Sequence, residues 1–261
     1  MRYAFTTLAY PDLKLPEVIE RVKRFGFDAV ELRVADDGIH LKPSYPIEKS
    51  VKEIIGDIKV SDLAGYARFS SPDDLEREKN IKLAETLILM AHDLGTSGVR
   101  VYAGQFKDSP EDAIKRVRNS LNGLAEFAEK NNVVLMIETH DEMAKLDFLL
   151  KLIKGLDERI GLVYDPANMI FSGEKHEDVF PKIYTRVKHV HIKDFVVKDG
   201  KRLFVRPGRG VVPIKEIVKD LIKVGYQGYI SVEWEKMWNR DIEDADVVLP
   251  LYLEYLKRCE E

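Results

Sequence analysis

The sequence predicts an α/β protein that folds as a single-domain (β/α)8 barrel. The chain has 261 residues, a length at which such barrels commonly form one domain. Short β-rich runs alternate with amphipathic helical stretches from end to end, and eight strand-then-helix units can be counted. An open doubly wound sheet is the competing architecture. That fold needs glycines after its first strand to bind phosphate, and residues 6–10 (Thr-Thr-Leu-Ala-Tyr) contain none.

The eight strands are predicted from short apolar runs rich in β-branched and aromatic residues. In order they are expected at Arg2–Thr7, Asp28–Arg33, Ile58–Asp62, Gly98–Tyr102, Val133–Glu138, Ile160–Asp165, Lys188–Ile192 and Tyr229–Trp234. No Ser/Gly-rich linker or low-complexity tract separates them, so a second domain is not expected.

The helices are predicted from their boundary residues, because a proline in the first turn and a glycine after the last turn are typical of helix ends. These signals open helices at Pro16, Pro46, Ser71-Pro72 and Ser109-Pro110, and they close the first two at Gly26 and Gly56. Amphipathic spacing predicts four more at Glu142–Lys154, Glu177–Arg186, Pro213–Val224 and Glu243–Lys257.

The composition excludes several classes of partner. The chain has 41 basic and 45 acidic side chains, a net charge of -4 and no basic tract, so neither nucleic acid nor a membrane surface is expected as a partner. The single cysteine, Cys259, cannot form an intrachain disulfide, and no apolar run could span a bilayer. A cytoplasmic location is therefore expected. The 33% charged residues, with seven Asn and two Gln, are typical of a heat-adapted source.

Polar residues lie at, or one position before, the ends of the last four predicted strands. These residues are Glu138, Asp165, His191 and Glu233. Because active sites of such barrels gather at the C-terminal ends of the strands, the four side chains are expected to converge. Each alone could be a strand-end cap or an ion-pair partner. Three carboxylates together would repel one another, however, and a divalent cation is the simplest way to keep them ionised beside a neutral imidazole. The pattern predicts one divalent metal ion, with Mn, Mg, Co and Zn all compatible with these ligands.

Five short segments carry a family resemblance: residues 137–140 (Ile-Glu-Thr-His), 164–168 (Tyr-Asp-Pro-Ala-Asn), 189–194 (His-Val-His-Ile-Lys-Asp), 208–210 (Gly-Arg-Gly) and 232–233 (Val-Glu). Their order and spacing resemble the xylose isomerase-like TIM barrels, particularly the sugar and sugar-phosphate isomerase/epimerase group that includes ketose 3-epimerases. The resemblance implies that Glu138, Asp165, His191 and Glu233 bind one metal ion. It also implies that Glu138 and Glu233 are the catalytic acid/base pair.

Two glutamates suit proton transfer next to a carbonyl group. A metal ion bridging the carbonyl and the neighbouring hydroxyl oxygen acidifies the C–H between them and stabilises a cis-enediolate. One carboxylate removes the proton, and a second on the opposite face returns it and inverts the carbon, whereas return to the adjacent carbon gives isomerisation. The expected substrate is a small carbohydrate: a ketose, an acid sugar or a sugar phosphate. Which glutamate abstracts the proton stays open.

Other residues are predicted to contact the substrate. His140 follows Glu138 by two positions, and Asn168 stands where many members of the resembling family have a histidine that touches substrate. Lys193 follows the proposed histidine ligand, and Tyr102 and Gln105 follow the fourth strand, although ordinary rim positions would also explain the last two.

A basic stretch from Lys198 to Gly210 is either a solvated loop or a site for an anionic substrate group, with Arg206 and Arg209 as the first candidates. His189 is expected to be a packed interior histidine, one layer below His191. Trp234 and Trp238 are expected to shape the wall near the eighth strand or an oligomer contact, so a homo-oligomer is compatible with the sequence.

Three alternatives stay open. A metal-dependent dehydratase acting on a keto-inositol or dehydroshikimate would use the same metal and glutamates. An endonuclease IV-like phosphodiesterase with three metals is disfavoured, because the chain has six histidines and Asn168 replaces the expected one. A non-catalytic binding barrel would leave four ligand-like strand ends unexplained.

Overall fold

The computed structural model describes all 261 residues and contains a closed barrel of eight parallel strands, in the order β1-β10-β7-β6-β5-β4-β3-β2. The predicted (β/α)8 architecture is confirmed. The barrel strands are β1 Arg2–Thr6, β2 Ala29–Arg33, β3 Lys59–Arg68, β4 Gly98–Tyr102, β5 Val134–Glu138, β6 Gly161–Tyr164, β7 Val187–Ile192 and β10 Tyr229–Val232.

Helices follow the barrel strands along the chain. They are α1 Leu15–Phe25, α2 Lys49–Ile55, α3 Asp74–Leu94, α4 Pro110–Lys130, α5 Leu146–Ile153, α6 Pro166–Phe171, α7 His176–Ile183, α8 Ile214–Lys223 and α9 Ala245–Cys259. Short 3-10 helices occupy Thr7–Ala9, Asp141–Ala144 and Tyr184–Arg186. No helix has both the length and the apolar character needed to cross a membrane.

The two faces of each barrel strand have different roles, because successive side chains point to opposite sides. In β5, Leu135 and Ile137 are fully buried members of the apolar core, whereas Glu138 contacts Arg100 in β4 and His191 in β7. In β7, His189 and His191 lie two residues apart, and their ring centroids are 5.4 Å apart. Apolar side chains therefore pack between sheet and helices, and polar side chains such as Glu138, His189 and His191 lie in the barrel interior.

Several predicted boundaries were wrong. Strand β3 continues to Arg68 rather than ending at Asp62, with irregular pairing to both neighbouring strands. The helix predicted from Glu142 is divided into a 3-10 turn and α5, and the one predicted to end at Arg186 ends in a 3-10 turn. Helix α6 was not predicted, because six residues are too few to show helical periodicity.

An antiparallel hairpin follows β7 where the sequence analysis expected a loop. Strands β8 Asp194–Lys198 and β9 Lys201–Val205 pair in register across the turn residues Asp199 and Gly200. Both turn residues have positive φ (51° and 72°), as a two-residue hairpin turn of type I′ requires.

The carboxylate of Asp194 anchors the base of the hairpin. It accepts hydrogen bonds from the backbone N–H groups of Gly210 (2.8 Å) and Val212 (3.1 Å). A Cβ atom at Gly210 would lie 2.2 Å from Asp194 Oδ1, so only glycine allows this approach.

Candidate active site

Four side chains converge at the C-terminal ends of the last four barrel strands. Potential ligand atoms of Glu138, Asp165, His191 and Glu233 all lie within 4.8 Å of one another. The four residues are at most 4% exposed. The structure thus brings together the four residues that the sequence analysis selected.

Backbone hydrogen bonds fix the positions of Asp165 and Glu233, which lie just beyond the ends of their strands. Asp165 caps α6, accepting a hydrogen bond from the backbone N–H of Asn168 at 3.0 Å, and its own N–H donates to Thr139 Oγ1 at 2.8 Å. The backbone N–H of Glu233 donates to the carbonyl of Ile192 in β7 at 3.0 Å. Both residues therefore continue the barrel wall, although the regular strands end one residue earlier.

The two ring nitrogens of His191 have different surroundings. Nε2 lies 3.1 Å from both carboxylate oxygens of Glu31. Nδ1 is buried without a hydrogen-bond partner, 3.6 Å from Glu138 Oε1 and 3.5 Å from Glu233 Oε1. One imidazole nitrogen that lacks a partner among three carboxylates suits a cation with mixed O and N ligands. The buried cluster is able to hold a metal ion.

Two buried cations flank the cluster. Arg100 Nη1 donates to Glu138 Oε2 at 2.9 Å. Lys193 Nζ contacts Asp165 Oδ2 at 2.6 Å, Glu235 Oε1 at 2.9 Å and Glu233 Oε2. Arg100 is fully buried and Lys193 is 1% exposed, so both charges act in a medium of low dielectric constant.

These charges decide the ionisation of the two glutamates. Burial alone would raise the pKa of Glu138, but the charges of Arg100 and His191 hold that pKa well below its usual range. Burial would likewise raise the pKa of Glu233, and Lys193 and His191 lower it. Burial would depress the pKa of Lys193, but Asp165 and the other carboxylates raise it well above its usual value. The carboxylates of the site are therefore balanced by the Lys193 ammonium, the Arg100 guanidinium and the charge of His191.

Asn168 connects the cluster to the hairpin. Its Nδ2 donates to Asp165 Oδ2 at 2.8 Å and to Glu138 Oε1 at 3.4 Å. Arg202 Nη1, from β9, donates to Asn168 Oδ1 at 2.6 Å. The arginine thus fixes which end of the amide faces the carboxylates. Arg202 forms no ion pair, and its guanidinium carbon lies 5.0 Å from the ring centroid of Phe171.

Three other predicted substrate contacts lie on the rim formed by β4 and β5. The rings of Tyr102 and His140 are 4.8 Å apart. His140, Gln105 and Arg68 line a polar cavity of about 320 Å³, and the side chain of Gln105 is exposed.

The structure does not bring Arg206 and Arg209 to the cluster. Arg206 is half exposed and forms an ion pair with Glu243, and Arg209 is exposed. The backbone N–H groups of Gly210 and Val212 already donate to Asp194, so they are not free to bind an anion. Within this basic stretch, Arg202 is the arginine that contacts a residue of the site.

Sequence reasoning missed four residues of this region: Glu31, Asp62, Arg100 and Arg202. Glu31 and Arg100 are single charged residues inside apolar strands, and that pattern could have indicated polar positions facing the barrel interior. The Asp-Gly turn could have indicated the hairpin that carries Arg202. His189 is 2% exposed, packed inside the barrel as expected, and its Nε2 lies 3.1 Å from Glu31 Oε2.

Comparison with known proteins gives the family. A model of the xylose isomerase-like TIM barrel family matches residues 19–254, which is most of the chain. The chain belongs to this family. Membership in the xylose isomerase-like TIM barrels confirms the resemblance that the strand-end motifs indicated.

Curated relatives of this chain include several inosose dehydratases. The chain is 26% identical over 136 residues to an inosose dehydratase of Geobacillus thermodenitrificans, covering 45% of this chain and 46% of that protein. It therefore spans about half the length of the first curated relatives that it matches.

Two solved structures share the fold over nearly the whole chain. D-psicose 3-epimerase from Clostridium cellulolyticum H10 has a TM-score of 0.81 at 17% identity, with 100% of both chains covered. A probable 3-DHS dehydratase from Bacillus anthracis has a TM-score of 0.78 at 20% identity, with 98% of this chain and 99% of that chain covered.

Proposed function

We propose that this chain is a divalent-metal-dependent sugar epimerase or isomerase that moves a proton next to the carbonyl group of a ketose, an acid sugar or a sugar phosphate. One observation carries the proposal. Glu138, Asp165, His191 and Glu233 form a buried cluster in which the Nδ1 atom of His191 has no partner.

The cluster would hold the metal through one atom of each of the four side chains, and Mn, Mg, Co and Zn all suit this ligand set. A metal ion bound there supplies a positive charge that stabilises the negative charge developing on the substrate oxygens. The free Nδ1 atom supports this proposal, because an unpartnered polar atom in a buried site is otherwise costly.

The two glutamates are suited to exchange the proton. Each has one oxygen near His191 and the other on a cation, namely Arg100 for Glu138 and Lys193 for Glu233. Their lowered pKa values keep both carboxylates ionised, which is the form that can accept a proton. They come from β5 and from the residue after β10, with β6 and β7 between them in the barrel, so they approach the site from different sides. Asn168 and Arg202 would orient substrate hydroxyl groups at the same opening.

A second candidate function, dehydration, is favoured by Lys193. Loss of a hydroxyl group needs an acid close to the base that removes the proton. The ammonium of Lys193 contacts Glu233 and Asp165 within the site and could protonate the departing oxygen. The inosose dehydratase and 3-DHS dehydratase among the relatives support this alternative.

Solvent exchange and product mass distinguish the candidates. The purified protein, loaded with Mn²⁺ in D₂O, is incubated with ketoses, their phosphates, keto-inositols and hydroxylated keto acids. Epimerisation or isomerisation gives deuterated sugar of otherwise unchanged formula, whereas dehydration gives a product lighter by one water. Glu138→Gln and Glu233→Gln should each abolish turnover. Glu126→Gln, an exposed glutamate on α4, is the matched control. Unchanged exchange in both site variants would show that the glutamates are not the acid/base pair.

A further inference from the structure

Glu31 lies inside the barrel and contacts the side of His191 that faces away from the four-residue cluster. The residue belongs to β2, is fully buried, and lies across the barrel interior from β7. Both of its carboxylate oxygens are 3.1 Å from His191 Nε2, and Oε2 is also 3.1 Å from His189 Nε2. The carboxylate therefore accepts hydrogen bonds from two imidazole rings.

This contact determines which nitrogen of His191 is free. A carboxylate accepts hydrogen bonds and cannot donate them, so the proton of a neutral His191 must stay on Nε2. The lone pair is then on Nδ1, the atom that lies between Glu138 Oε1 and Glu233 Oε1 without a partner. If the ring carries two protons before the metal binds, the Nδ1 proton is the one that must leave.

We propose that Glu31 is a positioning residue for the metal centre, which holds the His191 ring so that Nδ1 is the metal ligand. This inference rests on the proposed function only in requiring that the cluster binds a divalent metal. Carboxylates that bind the second nitrogen of a ligating histidine fix its tautomer and raise its basicity, and their loss commonly weakens metal affinity by about 10- to 100-fold.

The arrangement also has a competing explanation. Glu31, His189 and His191 could themselves hold a second metal ion, because their ligand atoms lie close together. His191 would then have to ligate through Nε2 and lose the proton that it shares with Glu31. The hydrogen bonds from both rings already satisfy the Glu31 carboxylate, which favours the positioning role and predicts one metal ion per chain.

The test measures metal binding directly. Metal-free protein is titrated with Mn²⁺ by calorimetry, and the absorption spectrum of the Co²⁺ form is recorded. Glu31→Leu should bind about 10- to 100-fold more weakly with an altered Co²⁺ spectrum. Glu31→Gln keeps an oxygen that can accept from Nε2–H and should recover most of the affinity. His189→Gln, which leaves the Glu31–His191 contact in place, should stay within about threefold of wild type.

A second measurement does not depend on any variant folding. In the Zn²⁺ form labelled with ¹⁵N-histidine, NMR should show the proton of His191 on Nε2 and the metal on Nδ1. Ligation through Nε2, two ions per chain, or wild-type affinity in a folded Glu31→Leu variant would each overturn the inference while leaving the proposed reaction standing. Failure of the wild-type protein to bind any divalent metal would overturn both.

Discussion

Replacing Lys193 with methionine should strongly destabilise the metal-free protein. The ammonium is 1% exposed and contacts three carboxylates, and methionine fills similar space without a charge. Removing one partner of a buried ion pair typically costs about 3–5 kcal/mol, because the remaining charge stays buried and uncompensated. For a domain of this size, that corresponds to a fall in Tm of roughly 6–20 °C.

The loss of stability in Lys193→Met should depend on pH and on bound metal. In Lys193→Met, the carboxylates have less counter-charge, so their pKa values rise in the folded state. The folded protein then holds protons that the unfolded chain releases, and the destabilisation should be larger at about pH 8 than at about pH 5. A divalent metal at a concentration of roughly 100 times its Kd raises the free energy of unfolding of any variant that binds it by about 2.7 kcal/mol. Lys193→Met should bind the metal more tightly than wild type, because a nearby positive charge has been removed.

Differential scanning calorimetry in EDTA and in Mn²⁺, at the two pH values, measures these effects. The matched control is Lys107→Met, since Lys107 is 59% exposed and pairs with Glu76 at the surface. That change should alter stability by less than about 0.5 kcal/mol. If metal-free Lys193→Met unfolds within about 1 °C of wild type at both pH values, the electrostatic account of this site is wrong.

Three further predictions concern other parts of the barrel. Burial and the neighbouring Glu31 charge raise the pKa of Asp62 to about 6, so protonated Asp62 stabilises the fold at low pH. This stabilisation should be lost as the pH rises from about 4 to about 6, whereas Asp62→Asn has no carboxyl group to titrate. In calorimetry, the free energy of unfolding of Asp62→Asn should therefore rise relative to that of wild type by up to about 3 kcal/mol over this pH range. Gly210→Ala should lower the free energy of unfolding, measured with denaturant, by about 1–3 kcal/mol. Gly123 is exposed on α4 with open space around it, so the control Gly123→Ala should raise that free energy by about 0.5–1 kcal/mol. Equal effects of the two changes would contradict the close contact at Gly210. Once solvent-deuterium exchange has identified a substrate, Arg202→Ala should raise the KM for that substrate at least about tenfold. The control Arg206→Ala should raise the same KM less than about threefold. A larger effect of Arg206→Ala than of Arg202→Ala would place the substrate away from Arg202.

The fold was predictable because each strand and most helices carry their own local signals. The apolar strand cores and the Pro, Ser and Gly helix boundaries gave eight repeating units, and the family model confirms the barrel. Boundaries were less predictable where tertiary contacts decide them. Strand β3 continues past Asp62 because it pairs with β2 as far as Ala64 and with β4 as far as Arg68, and no local residue marks that pairing.

The candidate site was predictable where polar residues end apolar strands, as at Glu138 and His191. It was harder to predict inside the strands, because alternation alone does not say which face of a strand is the barrel interior. A single charged residue in an apolar strand is the available signal at Glu31 and Arg100, but their partners come from other strands and are specified only by the fold. The contact between Arg202 on β9 and Asn168 on α6 joins residues 34 positions apart, and only the folded chain specifies it.

Residues that select a substrate and residues that carry out the chemistry often lie on the same segment of an enzyme. The hairpin formed by β8 and β9 carries none of the four proposed metal ligands. Its base is tied to the barrel by Asp194, whereas its turn at Asp199 and Gly200 is exposed. Insertions, deletions or swaps confined to that turn would leave Arg202, Asn168 and the four proposed ligands unchanged. The turn is therefore the natural segment to randomise when selecting variants with new substrate preferences.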